Sequence, residues 1–193
     1  MLRKLYDWCI NLAEKPYALW ALFIYAVAEA SFFPLPVELM MIPLIIATPK
    51  RAWLIAGIAI AGSVLGAVIG YGIGAFLFET IATPILDFYG YMDKFDGASA
   101  MYNDWGVWAV LIGGLTPIPF KVITILSGAT HFNFVAFVLS SIVARTIRYG
   151  VIAVLLYYFG APIRDFIEKR LGLVFTVGLA LLIGGFLALK LLH

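Results

Sequence analysis

Five charged side chains lie inside apolar stretches of the sequence, at Glu29, Glu38, Lys121, Arg145 and Arg148. An ionised group at the centre of a membrane helix costs roughly 2.5–3.5 kcal/mol on insertion scales, so these side chains are expected to face protein or water. Arg145 and Arg148 are about one helical turn apart and project from one helix face. Because guanidinium groups bind phosphate through paired hydrogen bonds, the two arginines and Lys121 form a candidate anion site, for example for a lipid phosphate.

The same charges allow a purely structural interpretation, in which the arginines neutralise Glu29 and Glu38 and hold a bundle together. The two interpretations are compatible, because a transporter can use its ion pairs as a gate. Glu38 and Lys121 are opposite in sign and could pair or share a wet cavity. A buried carboxyl group binds a proton more readily than an exposed one. Glu29 or Glu38 is therefore a candidate for proton binding and release.

Two Pro-x-Pro sequences stand next to these charges. They are Pro34-x-Pro36-x-Glu38 and Pro117-x-Pro119-x-Lys121. Proline removes a backbone donor and pushes the preceding residue out of helical geometry, so a continuous helix is not expected at either place. Non-helical backbone at membrane depth is tolerated where it is buried in protein or lines a wet cavity. We therefore predict two re-entrant hairpins, over 17–48 and 105–130.

The composition argues for a membrane protein with one domain spanning 1–193. Hydrophobic residues make up 64% of the chain and charged residues 12%, about half of what a soluble domain carries. Stretches 52–78, 132–160 and 172–190 suit transmembrane helices of about 20 residues. The formal charge of +2 and the lack of a basic run with interleaved aromatics argue against nucleic-acid binding.

The first fifteen residues are predicted to form an amphipathic helix on the membrane surface. Apolar residues recur there at three- and four-residue spacing, from Leu2 through Leu5 and Trp8 to Leu12, as in interfacial helices. An ordinary cytosolic extension is the alternative. The segment carries charges where a cleaved signal peptide would have its apolar core, so we do not expect a signal peptide.

The loop charges predict the orientation of the chain if both hairpins return to the side that they enter from. The basic side then carries Arg3, Lys4, Lys15, Lys50, Arg51, Arg164, Lys169 and Arg170, and the acidic loop 79–104 carries Glu79, Asp87, Asp93, Asp96 and Asp104 against Lys94. The positive-inside rule places the N-terminus in the cytoplasm and the acidic loop outside. The C-terminus then falls outside.

The two halves of the chain resemble each other. Nine of twenty positions are identical between Ile69–Phe88 and Ile147–Phe166. Each half is a hairpin followed by a spanning helix, and the charge count gives the halves opposite orientations. Such inverted repeats place the substrate site of many secondary transporters near the midplane. The fold class is therefore an all-α integral membrane protein with an inverted repeat; a duplication retained only for packing is the alternative.

Four glycines form a ridge along the predicted helix 52–78. They are Gly62, Gly66, Gly70 and Gly74, and such a small-xxx-small pattern lets another helix approach closely. We expect this ridge to pack inside one chain, and formation of a homo-oligomer is the alternative. His131 and His193 lack partners at metal spacing, and no G-x-S-x-G or H-E-x-x-H motif occurs. We expect no enzyme, no metal site and no cofactor.

Four sequence segments resemble the DedA family, whose domain is also called the VTT or SNARE-associated domain, and within it the YqaA-like branch. They are EASFFPLPVE (29–38), GSVLGAVIGYGIG (62–74), GLTPIPFKVITILSG (114–128) and ARTIRYG (144–150). The resemblance covers most of the chain between Glu29 and Gly160. It implies a multi-pass protein of the bacterial inner membrane.

The resemblance further implies a flippase for a phosphate-bearing lipid, such as undecaprenyl phosphate or a phospholipid, with possible use of the proton gradient. Glu29 and Glu38 look like the acidic residues of the family's first hairpin, and Lys121 like the basic residue of its second. Many members have R-F-x-P-x-x-R there, but this chain has Gly114 at the first arginine position and Lys121 one residue beyond the second, so the resemblance does not identify the lipid. A solute or ion transporter and a non-transporting scaffold are the alternative functions.

Overall fold

The computed structural model describes residues 17–116 and 119–160, and within these ranges the chain is helical without strands. The helices are α1 (Ala18–Ser31), α2 (Glu38–Ala47), α3 (Ala52–Leu77), α4 (Thr83–Tyr89), α5 (Met92–Trp105), α6 (Val107–Leu115), α7 (Phe120–Ala129) and α8 (Phe134–Gly160). The predicted helices at 1–15 and 172–190, and Pro117, lie outside the described residues.

Both Pro-x-Pro sequences interrupt helical structure. The six residues between α1 and α2 contain Pro34 and Pro36, and Pro119 directly precedes α7. A proline ring cannot donate to the preceding turn and clashes with it. The predicted breaks are therefore present, and each one separates two short helices of 9 to 14 residues.

In the described part of the chain, two helices are long and apolar enough to cross a membrane. The first is α3, which a short 3₁₀ turn and a π-helical turn extend to Pro49–Ala82. The second is α8, whose 27 residues give a length of about 40 Å at a rise of 1.5 Å per residue. Both exceed the thickness of a bilayer core, about 30 Å.

The glycine ridge of α3 determines the direction of α1. Gly62 lies against Ala26, and Gly66 lies against Ala30. The contacts advance in the same direction along both helices, so α1 runs parallel to α3. Because α2 ends at Ala47, just before α3 begins, the chain must return along α2. We call α1 and α2 hairpin 1.

The other end of the ridge holds α7. Gly70 lies against Thr124, and the backbone of Tyr71 lies against Gly128, so α7 also runs parallel to α3 and continues the line of α1. In α6, Gly113 meets Ile123 whereas Gly114 meets Phe120. That reversed order shows that α6 and α7 are antiparallel.

We call α6 and α7 hairpin 2. The end of α1 and the start of α7 meet near the middle of α3, where Thr124 Oγ1 donates to the carbonyl oxygen of Ala30 at 3.2 Å.

The last described helix, α8, is antiparallel to α3. Near the start of α8, the ring of Phe137 packs on Tyr71 at 5.2 Å. Farther along, Tyr149 and Leu156 share a buried cluster with Ala18 and Ile55, at the beginning of α1 and α3. The middle of α8 therefore passes the point where the two hairpins meet.

The acidic segment 79–104 was predicted as a loop, and the structure corrects this. It folds into a π-helical turn and helices α4 and α5, separated by Gly90 in the left-handed conformation. The ring of Phe95 stacks on Phe78 at 4.2 Å, and the hydroxyls of Tyr102 and Ser127 are hydrogen-bonded at 2.8 Å. The many charges in this segment masked a three- and four-residue spacing of apolar side chains.

Replacing Gly66 with Ala should destabilise the protein. A Cβ atom there would collide with the backbone carbonyl of Val27, and overpacking of this kind costs about 1–3 kcal/mol. Gly57→Ala is the matched control, because a Cβ at Gly57 meets nothing within 4 Å. Thermal unfolding in detergent should show a lower Tm only for Gly66→Ala. An equal effect of the two substitutions would contradict this packing of α1 on α3.

Candidate functional site

Two basic side chains bind backbone carbonyls at the helix breaks. Lys121 Nζ donates to the carbonyl oxygen of Phe33 in hairpin 1 at 3.0 Å. Arg148 Nη1 donates to the carbonyl oxygen of Thr116 in hairpin 2 at 3.0 Å. A break frees carbonyls from their helical partners, and an unpaired carbonyl in apolar surroundings is costly. The two cations therefore stabilise the breaks that lie beside them.

Arg148 also forms an ion pair with Glu38. Its Nε and Nη2 atoms lie 2.8 Å and 2.7 Å from the same carboxylate oxygen, Oε1. The side chains of Arg148 and Glu38 are 24% and 17% exposed. Glu38 begins α2, where the helix dipole favours negative charge. This ion pair links α8 to hairpin 1. The hydrogen bond from Arg148 to Thr116 links α8 to hairpin 2 as well.

Arg145 is the most deeply buried charge of the cluster, with 1% of its surface exposed. Its guanidinium carbon lies 3.7 Å from the centroid of the Phe120 ring, a cation–π geometry. Its Nη1 atom donates to the hydroxyl of Tyr149 at 3.1 Å. Among the described residues its Nε and Nη2 atoms have no hydrogen-bond partner. Two of the three guanidinium nitrogens therefore have N–H groups that a ligand could use.

Glu29 completes the cluster. Its Oε2 atom is buried and has no hydrogen-bond partner in the described part of the chain. Arg145 is its strongest charged neighbour, and Glu38, Arg148 and Lys121 also lie within electrostatic range. The five charges that interrupt the apolar sequence thus come together where the hairpins meet.

The structural interpretation expected an arginine to neutralise Glu38, and the pair of Glu38 with Arg148 confirms that part of it. The ion pair of Glu38 is with Arg148, whereas Lys121 binds a backbone carbonyl, so the described ion pairs include no direct pair between Glu38 and Lys121. The two residues nevertheless share one site. That these side chains bind a substrate or a proton stays a prediction.

Two aromatic residues of the site escaped the sequence analysis. Tyr149 follows Arg145 by four positions, a spacing that places both on one helix face, so a local signal existed. Phe120 comes from hairpin 2 and covers Arg145 only through tertiary packing, so no local pattern could indicate it. Within 17–116 and 119–160, no group of three or more His, Cys, Asp or Glu side chains could hold a metal ion.

Comparisons with known proteins agree with the sequence patterns. A profile of the VTT domain matches residues 35–159, more than half of the chain. An uncharacterized protein of Haemophilus influenzae is 32% identical over 85% of this chain and 87% of its own length. An uncharacterized protein of Histophilus somni is 34% identical over the same shares. No solved structure gives a significant match.

The Glu38–Arg148 pair should show strong energetic coupling. Either Glu38→Gln or Arg148→Gln leaves the other charge largely buried without its partner, while the double variant removes both. A double-mutant cycle of unfolding free energies in detergent should therefore give a coupling of about 1–3 kcal/mol. Asp104→Asn, an exposed acidic position, should leave the stability unchanged. Additive effects of the two substitutions would rule out this ion pair.

Proposed function

The chain belongs to the VTT-domain family, also called the DedA family, and from that premise we propose that it moves a phosphate-bearing lipid across the membrane. Membership of the family and the two long apolar helices make it a membrane protein. The observation that carries the proposal is Arg145, a buried guanidinium with two donor atoms that no described residue uses. Such a group is suited to bind phosphate oxygens in bidentate fashion.

The charge of the cluster favours an anion. Its members are Glu29, Glu38, Lys121, Arg145 and Arg148; three cations against two carboxylates leave one positive charge if all are ionised. An anion would neutralise this excess in surroundings where unbalanced charge is expensive. Protonation of Glu29 would raise the excess to two and strengthen anion binding. Loss of that proton would weaken it, which provides a physical route for coupling to a proton gradient.

We further propose that the two hairpins are re-entrant and enter from opposite faces of the membrane. Helices of 9 to 14 residues are about 14–21 Å long, shorter than the bilayer core of about 30 Å. The tips of the hairpins then meet near the midplane, as in an inverted repeat. Small movements of either hairpin would open the cluster to one face at a time.

The orientation follows the positive-inside rule, with the N-terminus in the cytoplasm of a bacterial cell and α5 outside. It predicts opposite labelling of two exposed positions in a Cys9→Ala background. In intact cells a membrane-impermeant maleimide should label Asp104→Cys at the end of α5 and should spare Lys50→Cys in the turn before α3. After membrane lysis both positions should react. Labelling of Lys50→Cys in intact cells would reverse the proposed orientation.

Reconstitution into liposomes tests lipid movement directly. The wild-type protein should expose an inner-leaflet phosphate lipid, such as fluorescent phosphatidylglycerol, to an external quencher. Arg145→Gln should slow this movement by about tenfold or more, because a hydrogen bond to a charged group contributes about 1.5–3 kcal/mol. Arg51→Gln is the matched control, since Arg51 is exposed in the turn before α3.

The outcomes of this assay separate the possible functions. Lipid movement at the wild-type rate in a folded Arg145→Gln variant would contradict the role of Arg145. Uptake of a solute or an ion without lipid movement would favour a solute transporter, and a wild-type protein that moves nothing would favour a scaffold. With an imposed pH gradient, Glu29→Gln should abolish the effect of the gradient, whereas Glu79→Gln, an exposed position, should retain it.

A further inference from the structure

An open-sided apolar cavity of about 330 Å³ lies under α5, and no residue of the charged cluster lines it. Its walls come from α5, from the first turn of α6 and from the end of α7. The lining residues include Phe95, Ala98, Tyr102, Trp105, Ala109 and Leu126. Those on α5 recur at three- and four-residue spacing, so the cavity is lined by the apolar face of this amphipathic helix.

The cavity wall contains three residues with hydroxyl groups, Ser99, Tyr102 and Thr130, and two of these hydroxyls are hydrogen-bonded within the protein. The hydroxyls of Tyr102 and Ser127 are hydrogen-bonded to each other at 2.8 Å, and the Thr130 hydroxyl donates to the carbonyl oxygen of Leu126 at 3.0 Å. The cavity therefore offers few polar atoms to a ligand. Because buried polar groups need partners, an occupant of this space is most stable when it is itself hydrocarbon.

An exposed apolar stripe runs along α6, whose first turn contributes to the cavity wall and whose end lies beside the charged cluster. Trp108, Ile112 and Leu115 are 66%, 47% and 44% exposed, and their spacing of four and three residues places them on one helix face. The stripe begins beside Ala109 in the cavity wall and ends next to Thr116, whose carbonyl binds Arg148. From Ala109 to Thr116 the distance along the helix is about 10 Å.

A lipid held by its phosphate at Arg145 and Arg148 could thus lay one chain along α6. We propose that the cavity under α5 is a binding site for the hydrocarbon chain of the lipid whose phosphate the charged cluster binds; this inference rests on the proposed function. Moving a chain from the bilayer into an apolar cavity changes its surroundings little, because lipid tails are as apolar as leucine. The cavity therefore acts mainly by selecting the length and shape of the chain.

Photo-crosslinking in a bilayer tests the chain site. The wild-type protein is reconstituted in vesicles of phosphatidylethanolamine and phosphatidylglycerol, with a fraction of the phosphatidylglycerol carrying a diazirine on one acyl chain. After irradiation, peptide mass spectrometry should find adducts concentrated on Ala98, Tyr102 and Leu126. Ile147 and Val151, exposed residues on α8, report contact with bulk lipid and should be labelled less.

Substitutions that fill the cavity provide the decisive comparison. Ala98→Trp should abolish most cavity adducts, whereas Ala100→Trp, on the same helix but outside the lining, should retain them. Ala109→Phe fills the cavity from α6 and should reproduce the loss if Ala98→Trp fails to fold. Both filling variants should also slow the movement of long-chain lipids more than that of short-chain lipids in the same vesicles.

The two hypotheses fail in different ways in this experiment. Adducts spread evenly over lipid-facing residues, or unaffected by both filling variants, would overturn the chain site even where lipid movement continues. An absence of adducts at Ala98, Tyr102 and Leu126, while Ile147 and Val151 are labelled, would also overturn it, because the lipid chain would then not enter the cavity. Cavity adducts in a wild-type protein that moves no lipid would support the chain site and reject the transport function.

Discussion

The helix breaks create backbone carbonyls that need partners in apolar surroundings, and the rest of the site depends on how this need is met. Lys121 reaches from hairpin 2 to the carbonyl of Phe33 in hairpin 1. Arg148 reaches from α8 to the carbonyl of Thr116 while it also binds Glu38. A neutral donor could satisfy one carbonyl, but a cation satisfies it and supplies charge to the centre of the bundle. The structural role of these residues is therefore compatible with the anion binding that we propose for them.

The glycine ridge makes this meeting of breaks possible. The absence of side chains at Gly66 and Gly70 lets α1 and α7 lie end to end on one face of α3, with their backbones in close contact. Larger residues would push the hairpins away from α3 and separate Lys121 from its acceptor. Close packing by small residues is the usual basis of helix association in membranes, because the hydrophobic effect contributes little there.

In the proposed function, the charged cluster and the cavity under α5 divide the recognition of a lipid into two parts. Strong, directional hydrogen bonds from Arg145 and Arg148 suit a phosphate, whereas the cavity can discriminate only by shape. Such a division resembles small-molecule sites generally, in which apolar walls enclose a few well-placed polar groups. α5 forms one wall of the cavity, and a hydrogen bond between the hydroxyls of its Tyr102 and of Ser127 attaches it to hairpin 2.

Sequence patterns determined the membrane class, the two breaks, the two long helices predicted at 52–78 and 132–160, and the charges that gather at the site. These features are local, because proline geometry, apolar length and the cost of buried charge act over a few residues. Only the tertiary structure decided that Glu38 pairs with Arg148 while Lys121 binds a carbonyl, that Phe120 covers Arg145, and that 79–104 folds into helices. These outcomes depend on the rotation and register of helices distant in sequence, and a small shift in either changes which of several possible partners lies within hydrogen-bond distance.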